Sequence, residues 1–204
     1  SGFHEFVTHK RLLGIAAFIF VFTGVSAFLY SIQTDLLVDY SRAERKALLG
    51  SVELATNGLT IILGVFVTNR LAQRFGMPMS LGLVPVVVAG LLLMLSLHPA
   101  ILLVLALQVT RRAGNYAITR PSREILYTAV DVEARFKTKP IIDVAVYRGG
   151  DVFWIWIIAY LGDGGLNLSL TQLLYGGVAV SVLWGAIGIY LGRKHEREQV
   201  GEGR

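Results

Sequence analysis

Long uncharged runs, broken by short basic stretches, set the pattern of this chain. Leu12 to Thr34 contains no charged residue, and a helix needs about 20 mostly apolar residues to cross roughly 30 Å of hydrocarbon. The spacing therefore predicts a membrane-crossing helix over 12–34. A second is predicted over 47–69, with Glu53 as its only charge. Phe75 to Thr110 is another run without a charged residue. As one helix it would be roughly 54 Å long at about 1.5 Å per residue, too long for a single crossing. His98-Pro99 divides it into a third helix over 77–97 and a fourth over 100–119. Pro121 marks where the fourth ends or kinks. Pro140 opens a fifth helix over 140–161, at a position where a missing N–H is harmless. Gly162-Asp163-Gly164-Gly165 reads as a turn, and a sixth helix follows over 170–191. The residues from Arg193 to Arg204 read as a short, charged, frayed cytoplasmic tail.

The fold class expected is thus an all-α membrane protein, with residues 1–204 forming one six-transmembrane-helix bundle. Composition agrees: 54% of the 204 residues are hydrophobic and 16% charged, with a mean hydropathy of +0.60. A soluble domain carries about 25% charged residues. With no cysteine present, a disulfide-stapled secreted module is excluded. The first apolar run is too long for a signal peptide and lacks a small-residue cleavage site. The chain starts at Ser1 rather than Met, so the expectation is a processed or longer protein.

The net charge of +5 raises nucleic acid as a partner, but the placement of the charges accounts for it otherwise. Lys10, Arg11, Arg70, Arg74, Arg120, Arg123, Arg135, Lys137, Lys139, Arg193, Lys194, Arg197 and Arg204 fall on one side of the expected membrane; Arg42, Arg45 and Lys46 fall on the other. The excess of basic residues in cytoplasmic loops places both termini in the cytoplasm, and no nucleic-acid partner is expected.

Six charges remain inside expected helices: Arg111, Arg112 and Arg148 against Glu53, Asp143 and Asp151. Each costs about 2.5–3.5 kcal/mol at bilayer depth on insertion scales, so these groups line a polar cavity or pair with one another. Helical spacing places Arg112, Tyr116 and Arg120 on one stripe, and Arg111 with Asn115 on the next. Tyr147 lies four residues from both Asp143 and Asp151. A closed set of ion pairs would satisfy all six charges without a ligand. A pathway in which some pair only transiently would favour an anionic substrate, because the arginine fork can hold two phosphate oxygens at once. Asp143 and Asp151 are the leading expected partners of Arg112 and Arg148. Gly149-Gly150 and Gly188-x-x-x-Gly192 read mainly as packing, and Trp154, Trp156 and Trp184 as lipid-facing or interfacial. His4, His9, His98 and His195 show no metal-ligand spacing, and no catalytic triad, zinc or P-loop pattern is present. Neither a metal nor a cofactor is expected, and the chain does not read as an enzyme.

The segment Arg111-Arg112-Ala113-Gly114-Asn115-Tyr116-Ala117, then Thr119-Arg120-Pro121-Ser122-Arg123-Glu124, Lys139-Pro140-Ile141-Ile142-Asp143 and Val146-Tyr147-Arg148-Gly149-Gly150-Asp151, resembles the C-terminal half of the ATP/ADP antiporter family. These nucleotide translocases are related to the major facilitator superfamily and have twelve helices in two halves. Asn69-Arg70-Leu71-Ala72-Gln73-Arg74-Phe75-Gly76 is similar to the major facilitator cytoplasmic loop motif at Arg70, Arg74 and Gly76, but it has Gln73 where that motif has an acid. The likeness implies nucleotide exchange by alternating access in a bacterial inner membrane. It also implies a second six-helix half, from the same gene or another copy, with Arg111, Arg112, Asn115, Tyr116 and Arg148 facing substrate. Glu53, Asp143 and Asp151 would be their charge partners, and Arg120, Arg123 and Lys139 would extend the cytoplasmic loop motif. The partners expected are a nucleotide or other phosphorylated anion, the second half and membrane lipid. Competing readings are a non-transporting membrane module that docks a partner and a carrier for another organic anion.

Overall fold

The computed structural model describes residues 10–130, 132–162 and 164–202. His4, His9, Asp163 and Arg204 lie outside the described residues. Every regular element among the described residues is helical: α1 (Lys10–Leu36), α2 (Arg42–Phe66), α3 (Thr68–Leu97), α4 (Ile101–Gly114), a π-turn π1 (Asn115–Thr119), α5 (Arg120–Thr128), α6 (Val132–Ile141), a second π-turn π2 (Ile142–Val146), α7 (Tyr147–Leu161) and α8 (Leu170–Glu202). The pieces from 101 to 128 follow one another directly, as do those from 132 to 161, so the chain makes six helical rods. Four of them, α1, α2, α3 and α8, are long and apolar enough to cross a membrane.

The buried centre is α1. Leu12, Ile15, Ile19, Val25, Leu29 and Ile32 are wholly buried, because this helix is apolar around most of its circumference. Its few hydroxyls turn back on their own helix, Thr23 donating to the Phe20 carbonyl and Ser26 to that of Phe22. Behind α1, helices α3 and α8 approach closely. A Cβ on Gly188 would sit 2.8 Å from the Leu81 carbonyl oxygen, and one on Gly192 would sit 2.4 Å from the Pro78 nitrogen. The Gly188/Gly192 pair is therefore a packing motif, as small residues at helix contacts generally are. Trp184 is not at the lipid surface as the sequence suggested. It is fully buried, with its ring 5.7 Å from Phe18 and 5.3 Å from Phe22. Trp154 donates its indole N–H to the Phe20 carbonyl, while Trp156 is exposed.

Several boundaries differ from those expected, each for a local reason. Helix α2 starts at Arg42, five residues early, because Ser41 and Glu44 form a reciprocal capping box. The stretch holding Arg70 and Arg74, expected as a loop, is a short helical segment that breaks at Gly76, whose φ of 76° is the left-handed region that favours glycine. The fourth rod does not stop at Pro121; it runs on to Thr128. Nor does Pro140 open the fifth, which begins at Val132 and carries Pro140 near the end of α6. Among the described residues the tail is not frayed: α8 continues through Glu202.

Neighbours explain the helical tail. Glu196 accepts the Met77 backbone N–H at 2.8 Å, so it caps the segment that restarts after the Gly76 break. Glu198 forms an ion pair with Arg11, and His195, only 2% exposed, lies beside Arg11 and Gln199.

Candidate functional site

Two joined cavities lie between rods one, two, four and five. The larger, of about 760 Å³, is lined by Ser26, Tyr30 and Gln33 of α1, Val52 and Glu53 of α2, Gln108, Arg111 and Arg112 of α4, and Arg148 and Asp151 of α7, among others. The smaller, of about 440 Å³, shares Ser26, Arg111, Arg112 and Asp151 and adds Asn115, Tyr116, Arg120, Arg123, Asp143 and Tyr147. Neither α3 nor α8 contributes to these walls. Those two helices form the packed back of the bundle, and the polar groups collect on the opposite side.

That side is open. Helix α2 buries only Val52 and Thr56, and Leu54 of α2, Leu102 of α4 and Trp156 of α7 are each more than 70% exposed. The sequence places a hydrophobic surface here and the rods offer it nothing to pack against.

Arg112 and Arg111 are adjacent but held differently. Arg112 forms a fork with Glu53, at 2.6 and 2.9 Å, tying α4 to α2. The expected partners were Asp143 and Asp151; Glu53 takes their place because the contact between α2 and α4 brings it opposite the guanidinium. Arg111 hydrogen-bonds to neutral groups. It donates to Ser26 Oγ at 2.8 Å and to Gln108 Oε1 at 3.0 Å, while Gln108 Nε2 donates to Gln33 Oε1 at 2.7 Å. Its Nε is buried without a hydrogen-bond partner, and the guanidinium carbon lies 5.8 Å from the Phe22 ring centre. Arg148 and Asp151 share the larger cavity, but among the described residues no ion pair within 4 Å joins them.

The two π-turns alter the spacing on which the expected stripes depended. A π-turn adds a residue to the helical turn, so side chains before and after it rotate relative to regular α spacing. Tyr147, four residues from both Asp143 and Asp151 in sequence, accepts a hydrogen bond from Arg123 Nη1 at 2.8 Å. Asp143 lies just inside π2 and faces the smaller cavity.

Other site candidates separate from this cluster. Lys139 lines neither cavity; it pairs with Glu124 at 2.6 Å and lies over the Tyr127 ring. Arg70 and Arg74 are exposed away from the cavities. Arg123, expected in a cytoplasmic loop motif, is instead 5% exposed and faces the smaller cavity. Sequence reasoning overlooked Ser26, Gln33 and Gln108. Their signal was available, since Ser26 and Gln33 are seven residues apart on one face of an apolar helix and Gln108 lies one turn before Arg111. Among the described residues, no group of three or more His, Asp or Glu side chains converges as a metal site would require. Chemically, the arrangement presents guanidinium donors of the kind that pair with the oxygens of an anion.

Comparison of the chain with protein-family models, with curated proteins and with solved structures found no match.

Proposed function

We propose that this chain is one half of an alternating-access membrane carrier for a phosphorylated anion, with all six rods crossing the bilayer. The observation that carries the reading is the convergence of Arg111, Arg112 and Arg148 on joined cavities that open on one face. Cavity-lining arginines without a closed set of carboxylates favour phosphate over a neutral sugar or a hydrophobic drug. The resemblance of residues 111–151 to nucleotide translocases makes ATP and ADP the substrates proposed. A second six-helix half would cover the open face, and rocking of the halves would alternate access.

The Arg112–Glu53 fork favours one other reading, in which the charges are structural clasps of a non-transporting module. Uptake separates the two. Vesicles containing the full-length protein and loaded with ADP are expected to take up labelled ATP faster than ADP-free vesicles. Arg148→Gln is expected to lower that exchange more than tenfold while folded protein stays in the membrane. No uptake, or wild-type exchange in folded Arg148→Gln, would overturn the carrier reading.

A further inference from the structure

Arg123 is the least expected group in the cluster. It belongs to a stretch that reads as a cytoplasmic loop, yet its side chain is nearly sealed from solvent and lines the smaller cavity together with Arg111. Among the described residues no carboxylate lies within ion-pair distance of it. One guanidinium nitrogen donates to the Tyr147 hydroxyl, and the Nε is buried with no hydrogen-bond partner. Arg111 repeats the pattern, with neutral partners and a buried Nε lacking one. Buried donors of this kind are costly unless something accepts from them.

Resting on the carrier reading, we propose that Arg123 and Arg111 are the phosphate-binding pair of the smaller cavity. Two guanidinium groups free of carboxylates offer forked donors to the oxygens of a diphosphate or triphosphate chain. Arg112 is the weaker candidate, because Glu53 already occupies its fork. Four arginines and two aspartates line the smaller cavity, so a positive surplus remains after Arg112 is paired. The organic part of the substrate then extends into the larger cavity, where Tyr30, Val52, Val152 and Ile155 supply an apolar wall.

Pyrophosphate tests this directly, because it carries the phosphates without the organic part. Binding of pyrophosphate and of ATP is titrated on the purified full chain in detergent. Arg123→Gln is expected to weaken both at least tenfold. Arg123→Lys, which keeps the charge but loses the fork, is expected to weaken both several-fold, and Lys46→Gln, exposed and outside both cavities, should change neither. If the glutamine variant fails to fold, the lysine variant decides, and pyrophosphate affinity within twofold of wild type overturns the proposal. Wild-type pyrophosphate binding that folded Arg123→Gln retains would remove Arg123 from the site and leave the carrier reading standing. Wild-type protein that binds ATP but not pyrophosphate would overturn the phosphate subsite alone. Binding of neither compound would overturn the subsite and the phosphorylated-anion reading together.

Discussion

A Cβ built on Gly150 would sit 2.4 Å from Thr23 Oγ1, whereas one on Gly149 meets nothing within 4 Å. These neighbours carry the same side chain for different reasons: Gly150 lets α7 approach α1, and Gly149 faces open space. Gly150→Ala is therefore expected to lower stability by about 1–3 kcal/mol through overpacking. Gly149→Ala is expected to be neutral or slightly stabilising, since alanine favours helix over glycine by roughly 1 kcal/mol. Thermal unfolding of both variants in detergent checks the contrast, and equal losses would contradict it. A pair of glycines within a helix announces a close contact without saying which of the two makes it. The charged site residues were similarly legible as a set, since any charge in an apolar run stands out. Their pairing was not, because Glu53 meets Arg112 only through tertiary packing of α2 on α4. Ser26, Gln33 and Gln108 were harder still, as single neutral polar groups are tolerated in many apolar helices.

At the scale of elements, Pro121 and Pro140 interrupt hydrogen-bond ladders without ending their rods, whereas Pro99 lies in the break between the third and fourth. Pro121 has no N–H for the Ala117 carbonyl one turn earlier. That carbonyl accepts from Thr68 Oγ1 at 2.6 Å instead, and the π-turn just before the proline closes its end with the Arg120 N–H bonded to the Asn115 carbonyl. Thr68→Val should leave the Ala117 oxygen unsatisfied and cost about 1–3 kcal/mol. In a Pro121→Ala background the restored N–H can serve that oxygen, so the same threonine change should cost markedly less. A double-mutant cycle by thermal or chemical unfolding reads the coupling, and strict additivity would show that the two groups do not share the carbonyl. Helix existence and order were legible from the apolar runs, and so were the places where ladders fail. The form of the failure was not legible, because kink, π-turn and helix end share the same proline signal. Nor could the helical tail be read from its own residues: its order depends on Arg11 and Met77, far away in sequence.

Across the whole molecule the packing is uneven in a way that matches the polar groups. The back, where α3 and α8 close on α1, is built from small residues and buried aromatics. The front, where α2 lies mostly exposed, holds the arginines. If the rods cross the bilayer as proposed, the thirteen-to-three split of basic residues fixes their orientation. A reporter fused after Arg204, which leaves the packed tail intact, is expected to be cytoplasmic in intact cells. Accessibility from outside would reverse the assigned orientation.

The capping of Met77 by Glu196 also has a history in time. The two residues lie 119 positions apart, and a ribosome adding about 5–20 residues per second needs on the order of ten seconds to pass from one to the other. Throughout that interval the helix that restarts after Gly76 exists without the acceptor for its first N–H, and Arg11 waits longer still for Glu198. The rods that line the cavities are all synthesised before the back of the bundle can be fastened. Assembly therefore finishes with the last helix, and a nascent chain halted shortly before it would carry every cavity arginine on a scaffold not yet closed behind them.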